Sequence, residues 1–209
     1  IHMAVENISR LACDTLEDNR LASYTEKSSR YQILEPGYYH IPQELSGYSE
    51  MRQLYVDTCN ELFDAYHEIL DGLRLHLQTE RPRLSEQERD SAYNLRIRRE
   101  ATDTARFLLP AATLTNVGVT MNARSIEHAI RKLLSSNLAE ERTVGEALKA
   151  EGLHITPTLI RYAERNDYLV MSLEVQQDMA LPYIEPSGDS QVEATLVHSD
   201  PHAEAKVVA

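Results

Sequence analysis

The chain has 209 residues and a mass of 23.8 kDa, which is enough for one domain with an apolar core but leaves little room for a second. Its 33 acidic and 21 basic residues give a formal charge of -12, which disfavours a general nucleic-acid-binding protein. No apolar run approaches the roughly 20 residues of a membrane-spanning helix, and two distant cysteines, Cys13 and Cys59, favour a reducing, cytoplasmic compartment.

The first part of the chain predicts two helices separated by a polar stretch. Small and apolar residues recur at helical spacing from Val5 to about Leu21, so we expect the chain to open directly in a helix. Residues 22–39 are rich in Ser, Thr and Tyr and end in a turn signal, which predicts an extended loop or short strand. A long amphipathic helix follows, with apolar residues at Tyr55, Cys59, Leu62, Phe63, Tyr66, Ile69, Leu70, Leu73 and Leu77.

The middle of the chain predicts a third helix and a short strand. Ser85 and Glu88 form a capping-box pattern, so a helix should run from there towards Phe107. Proline at position 110 ends it, and residues 111–121, rich in Thr and Val, predict a buried turn or short strand.

Two more helices and a short one are predicted before residue 168. The first helix is indicated by apolar residues that share one of its faces, at Ile126, Ala129, Ile130, Leu133 and Leu134. The second helical segment ends at Gly152. Thr156 and Pro157 offer an N-cap and a first-turn proline for a short helix over Leu159–Ala163.

The composition changes after Tyr168. Residues 181–191 have the Pro, Gly, Ser and acidic content of a linker, so we place a domain at 1–180. Residues 192–209 begin with an alternating segment that predicts a strand and continue into a helix start. His198 and His202 lie four residues apart there, but without a third ligand a solvated face is favoured over a metal site.

Two clusters pair arginine with small polar residues, while the common phosphate-loop, metalloprotease and nucleophile-elbow motifs are absent. In an extended chain Glu26, Ser28 and Arg30 would point to one side, which suits a phosphorylated sugar. Asn122 and Arg124 stand at a helix start, where free amides and a guanidinium can bind an anion. Ordinary caps and surface ion pairs remain the alternative for both clusters.

These residues resemble the flavin-dependent thymidylate synthases (ThyX family). The family motif RHRxxSxNExSxRY aligns with Arg20, Ser23, Glu26, Ser28, Arg30 and Tyr31, after a helix that resembles Ile8-Ser9-Arg10-Leu11-Ala12-Cys13. Downstream, residues 100–110 are similar to the family's ExARxxLP pattern, 120–124 to TxNAR and 139–142 to AQxEIR. The resemblance covers about residues 5–169 and implies an α+β fold, predominantly helical, with a small antiparallel sheet.

The chain departs from the family pattern in two ways. Asp18 and Asn19 replace the first Arg and the His of the motif, so an anion stands where a flavin contact is expected. The family's opening strand and about 70 to 80 further residues are expected before the first helix, so the domain would lack its N-terminal part. Residues 192–204 resemble that opening strand, either as the start of a second ThyX-like copy or as a chance amphipathic tail.

By resemblance, the reaction is the reductive methylation of dUMP to dTMP with methylenetetrahydrofolate, FAD and NADPH. The carried-over dUMP contacts are Ser28, Arg30 and Arg124, and the FAD contacts are Asn19, Arg20, Glu26 and Asn122. No catalytic side chain is assigned, because no base is placed to activate Ser28. No metal ligand is assigned either.

Family sites form between subunits of a tetramer, which implies a homo-oligomer or pairing with a second ThyX-like half. Two hypotheses follow from the resemblance and its departures. The chain is part of a working synthase, or it is a catalytically degenerate half with a structural or assembly role.

Overall fold

Six helices and three strands account for most of residues 1–183, the part of the chain that the computed structural model describes. In chain order they are β1 (His2–Ser9), α1 (Arg10–Glu17), β2 (Ala22–Glu26), α2 (Ser49–Glu80), α3 (Asp90–Ala105), β3 (Leu114–Met121), α4 (Ala123–Leu134), α5 (Ala139–Ile155) and α6 (Asp167–Ala180). Short 3-10 turns lie at Gln43–Leu45, Arg106–Leu108 and Leu181–Tyr183. The predicted α+β class, mainly helical with a small antiparallel sheet, is confirmed.

The sheet is built around β3, which pairs antiparallel with β1 on one side and β2 on the other. Its alternate residues Thr115, Val117, Val119 and Met121 are buried, the period-two pattern of a strand with one face on the core. Residues 111–121 were predicted as a buried turn or short strand, and the structure makes most of them the central strand. The pairing of Ala22 with Met121 brings the start of β2 beside the end of β3.

The prediction that the chain opens in a helix from Val5 is wrong. Residues 2–9 form β1 instead, and α1 begins at Arg10, where the Ser9 hydroxyl accepts the amide of Ala12 at 3.0 Å. The strand carries a bulge between Val5 and Ile8, at which Asn7 adopts a positive φ of 57°. The bulge gives Val5 and Ile8 a spacing of three residues, which imitates a helical repeat.

The main core lies between the sheet and helices α1, α4 and α5. The predicted face of α4 is confirmed as buried, with Ile126, Ala129, Ile130, Leu133 and Leu134 all in this core. Leu16 of α1 and Leu148 of α5 belong to the same cluster. This core fixes the start of α4 relative to the loop that follows α1.

Helices α2 and α3 form a second core. Its buried members are Tyr66, Leu70 and Leu77 of α2 with Ile97, Ala101 and Ala105 of α3. The predicted start of α3 at the capping box is wrong, because α3 begins at Asp90. The Glu88 carboxylate instead accepts the amide of Leu84 at 2.8 Å and pairs with Arg96, which holds residues 84–88 in a turn.

The prediction of a short helix over Leu159–Ala163 is also wrong. Thr156 ends α5, its N–H bonded to the carbonyl of Gly152 at 2.9 Å, and turns follow it. Helix α6 was not predicted, and it crosses the boundary at Val170 that divides the chain into two compact units. Most of the linker predicted at 181–191 and all of the segment 192–209 lie outside the described residues. Within residues 1–183, no helix is both long and apolar enough to cross a membrane.

Candidate functional site

A cleft of about 740 Å³ opens between the loop after α1 and the first turns of α4. The antiparallel pairing of β2 with β3 creates it, because the loop leads into β2 while α4 directly follows β3. Its lining residues are Asp18, Asn19, Arg20, Leu21, Asn122, Arg124, Ser125 and His128. Four of the seven residues proposed from the sequence as ligand contacts, Asn19, Arg20, Asn122 and Arg124, therefore meet in one place.

The two arginines of this cleft are available to a ligand. Arg20 and Arg124 are both exposed, and neither forms an ion pair or side-chain hydrogen bond with the residues described here. His128 follows Arg124 by one helical turn and also lines the cleft. Two guanidinium groups without a partner among residues 1–183, one of them in the first turn of α4, favour a ligand with negative charge, because the helix dipole adds positive potential there.

Asn122 shapes the start of α4 rather than reaching freely into the cleft. Its side-chain oxygen accepts the amide of Ser125 at 2.9 Å, the bond of an N-cap. This cap holds the first turn of α4, and Arg124 within it, in a fixed position beside the cleft.

Asn19 is mostly committed to the protein. Its side-chain amide donates to the carbonyl of Leu16 at 2.9 Å, and its backbone carbonyl accepts the Tyr24 hydroxyl at 3.0 Å. The residue is 8% exposed. One N–H of its side-chain amide therefore closes the end of α1, and the other N–H and the side-chain oxygen are the groups left for a ligand.

The negative charge of Asp18 is partnered. Its carboxylate accepts a hydrogen bond from Lys132 of α4, and this bond, together with the lysine charge, lowers the pKa of Asp18. The anion that stands in place of a motif arginine is thus neutralised by a cation from 114 residues away in sequence. Lys132 was not singled out from the sequence, where nothing links it to Asp18.

Glu26, Ser28 and Arg30 do not form the single face expected of an extended chain. Strand β2 ends at Glu26, and a turn follows in which the Arg30 amide donates to the Ser28 hydroxyl at 3.3 Å. Because the strand stops, the alternation of side chains on which the expectation depended stops with it.

The two charged residues of that set have partners inside the protein. The Glu26 carboxylate pairs with Arg10 at 2.9 Å and accepts the Thr115 hydroxyl at 2.9 Å, so it ties β2 to α1 and β3. Arg30 pairs with Asp103 of α3 at 3.2 Å. None of Glu26, Ser28 and Arg30 lines the cleft.

His128 and Ser125 are cleft residues that the sequence reasoning missed. Their signal was the helical spacing from Asn122 and Arg124, since residues three and four apart share a face of α4. Within residues 1–183, no group of three or more His, Cys, Asp or Glu side chains could hold a metal ion.

Comparison with known families gives a match over most of the chain. The family model described as thymidylate synthase complementing protein matches residues 1–158. A protein of Clostridium tetani named flavin-dependent thymidylate synthase is 27% identical over 161 residues, which cover 77% of this chain and 61% of that protein.

Two further relatives carry no functional name. A UPF0159 protein of Chlamydia muridarum is 34% identical over 224 aligned positions, covering 100% of this chain and 42% of that protein. A UPF0159 protein of Thermoplasma acidophilum is 33% identical over 176 positions, covering 71% of this chain and 35% of that protein. The chain thus spans less than half the length of these two curated relatives.

Among solved structures, the flavin-dependent thymidylate synthase ThyX of Helicobacter pylori, complexed with FAD and dUMP, shares the fold. The TM-score is 0.52 at 18% sequence identity, over 78% of this chain and 72% of that one. The fold implied by the sequence resemblance is therefore confirmed.

Proposed function

Because the chain belongs to the thymidylate synthase complementing protein family, that of the flavin-dependent thymidylate synthases, we propose that its cleft binds dUMP by the nucleotide's phosphate. The proposed activity is the reductive methylation of dUMP to dTMP, with methylenetetrahydrofolate as carbon donor and with FAD and NADPH. The observation that carries the proposal is a pair of guanidinium groups, Arg20 and Arg124, which line one cleft and have no partner among residues 1–183.

Each cleft residue has a proposed role in binding. Arg124 donates two parallel hydrogen bonds to the phosphate, beside the amides of the first turn of α4. Asn122 keeps that turn in place, and Arg20 contributes the second cation from across the cleft. These roles require no proton transfer by a side chain.

A bound FAD would supply the redox chemistry. The residues present fit its anionic part, because Arg20 has no partner in the described part of the chain and Lys132 neutralises Asp18. We propose Arg20 and the side-chain oxygen of Asn19 as the FAD contacts, with Glu26 acting indirectly through its bonds to Arg10 and Thr115.

Ser28 and Arg30 lie outside the cleft, so they would contact dUMP only in an assembly that brings this turn to a second copy's cleft. A homo-oligomer, or a pair with a second ThyX-like half, is the assembly that we propose.

The test is the affinity of the full chain for dUMP, measured by isothermal titration calorimetry. We expect Arg124→Ala and Arg20→Ala each to weaken binding about ten- to a hundredfold, since a hydrogen bond to a charged group contributes roughly 1.5–3 kcal/mol. Arg131→Ala is the matched control, because Arg131 lies on α4 but pairs with Glu127 at 2.9 Å and does not line the cleft. Equal affinities of all three variants for dUMP would refute the proposed site.

A catalytically degenerate half with an assembly role is the second candidate, and the burial of Asn19 favours it. If the Lys132–Asp18 pair alone blocks an otherwise intact flavin position, Asp18→Arg should increase FAD uptake, seen as yellow colour after dialysis. That result would favour the working synthase. Asp14→Arg makes the same charge change one turn earlier on α1 and should not. A chain that binds dUMP but takes up no FAD with either variant would support the degenerate half.

A further inference from the structure

The positive charge of the cleft is confined to two side chains. Among the lining residues that the structure describes, Arg20 and Arg124 are the only Lys or Arg, and Asp18 is the only Asp or Glu. A phosphate group carries between one and two negative charges near neutral pH, and a guanidinium group is well suited to pair with it. Two guanidinium groups therefore match one phosphate and leave no cation for a second.

A third cation, Lys132, lies next to the cleft but is held away from it. Its Nζ donates to the Asp18 carboxylate and lies 3.5 Å from the backbone carbonyl of Thr15, so both contacts are on the α1 side. Lys132 lines a neighbouring depression with Asp14, Thr15 and Glu17, whereas Asp18 lines both that depression and the cleft. The charge of Lys132 is thus used inside the protein.

Lys132 is close enough to reach a ligand once Asp18 releases it. Its Nζ lies one hydrogen bond away from Asp18, which is part of the cleft wall. Arg124, His128 and Lys132 follow at four-residue steps on α4, and a rise of about 1.5 Å per residue separates the first and last Cα atoms by about 12 Å. Lysine has a flexible four-carbon stem, and the Lys132 side chain is 33% exposed. The bond to Asp18, rather than distance, therefore keeps this cation from a ligand.

We propose that the Asp18–Lys132 pair restricts the nucleotide bound at Arg20 and Arg124 to one with a single phosphate group, by withholding the third cation that a diphosphate needs. This inference rests on the proposed function and names Asp18 and Lys132 as the residues that determine phosphate selectivity at that site. Asp18 without Lys132 would add an unpaired negative charge beside the ligand, whereas Lys132 without Asp18 would add an available positive one. Substitutions of the two residues should therefore change the selectivity in opposite directions.

The experiment compares the affinities of the full chain for dUMP and dUDP by isothermal titration calorimetry. It is run at about pH 8, where a phosphate monoester is fully ionised, and at one ionic strength, because salt screens exposed charges. The parent chain should bind dUDP no more tightly than dUMP. Asp18→Asn should improve the binding of dUDP relative to dUMP about tenfold, through a charge-assisted hydrogen bond from Lys132. Lys132→Met should weaken it roughly threefold, because it leaves Asp18 as an unpaired anion at the surface.

Two further variants test whether the pair itself is responsible. The double variant Asp18→Asn with Lys132→Met carries neither charge, so its ratio of dUDP to dUMP affinity should return to that of the parent chain. Asp14→Asn removes an exposed carboxylate one turn earlier on α1, outside the cleft, and should leave the ratio unchanged. The same ratio in Asp18→Asn as in Asp14→Asn would overturn the proposal, as would a parent chain that binds dUDP more tightly than dUMP.

Inorganic phosphate and pyrophosphate, followed by phosphorus NMR, separate this inference from the proposed function. If neither nucleotide binds but Asp18→Asn still improves the binding of pyrophosphate relative to phosphate, the charge selectivity holds and the nucleotide function fails. If dUMP binds and Asp18→Asn changes neither ratio, the nucleotide function holds and the selectivity fails. A chain that binds neither the nucleotides nor the inorganic anions would overturn both.

Discussion

Removing the Glu140 carboxylate should destabilise the fold, because this side chain joins the start of α5 to the junction of β1 and α1. Its two oxygens accept the backbone N–H and the hydroxyl of Ser9, both at 2.6 Å, and Ser9 is 3% exposed. The same hydroxyl accepts the amide of Ala12, so Ser9 also caps α1, and Glu140 has a further partner in His40 at 3.5 Å.

The magnitude follows from these contacts. Glu140→Ala loses a hydrogen bond to a charged group, about 1.5–3 kcal/mol, and leaves the buried Ser9 amide without a partner, about 1–3 kcal/mol more. The two contributions overlap, so we expect a loss of roughly 2–4 kcal/mol. With a urea m-value of about 2 kcal/mol/M, the unfolding midpoint should fall by about 1–2 M.

Urea titration followed by far-UV circular dichroism measures this effect. Glu146→Ala is the control, because Glu146 is an exposed carboxylate on α5 with no ion pair among the described residues, and its loss should stay within about 0.5 kcal/mol. Glu140→Gln should be intermediate, since its amide keeps one acceptor oxygen for Ser9. If Glu140→Ala unfolds at the same urea concentration as Glu146→Ala, the Ser9–Glu140 link does not stabilise the fold.

Three further predictions concern burial, packing and pH. Burial raises the pKa of Cys13 to about 12 and also raises that of Cys59, so Ellman's reagent should label neither thiol in the folded protein and both in denaturant. Gly145→Ala should cost about 1–2 kcal/mol in urea titration, because the new Cβ would lie 3.0 Å from a leucine side chain of α4, whereas Gly72→Ala, with open space around it, should be neutral or stabilising. The Glu44 carboxylate accepts a hydrogen bond from the first amide of α5, and this bond lowers the pKa of Glu44. The stability that the bond adds is therefore present above the ordinary glutamate pKa of about 4.3 and is lost as the pH falls through the lower pKa of the folded protein. Glu44→Gln should therefore be less stable than the parent chain at about pH 7 and equally stable at about pH 2.

The helices with long, regular apolar faces could be predicted from sequence because their burial follows a single period. Helix α4 is the clearest example, since all five of its predicted core residues are buried. Strand β1 could not, because the bulge at Asn7 shifts Ile8 by one position and turns an alternating pattern into a helical one. Whether a strand bulges depends on its neighbour, and the Asn7 amide is held by Asn116 of β3 at 2.8 Å.

The candidate cleft was predicted only in part, for a similar reason. Motif resemblance selects residue types, so it singled out Arg20 for FAD and Arg124 for dUMP, and the pairing of β2 with β3 places both on one cleft. It could not predict that β2 ends at Glu26, which turns Ser28 and Arg30 away. Nor could it predict which internal partners would occupy the side chains, because those contacts join segments far apart in sequence.

The pairing of Asp18 with Lys132 changes how the departure from the family motif should be interpreted. Arg124, His128 and Lys132 follow one another at four-residue steps along α4, so they form one ridge of the helix surface. Asp18 neutralises the last member of this ridge, while Arg124 at the first turn has no partner within residues 1–183 and has the positive end of the helix dipole beside it. The positive potential of the cleft is therefore strongest at the start of α4, where Arg20 faces it, and weakest beside Asp18. An anionic ligand should accordingly place its phosphate at the Arg124 end, and the substitution at Asp18 affects the end of the cleft beside Asn19, one of the two proposed flavin contacts.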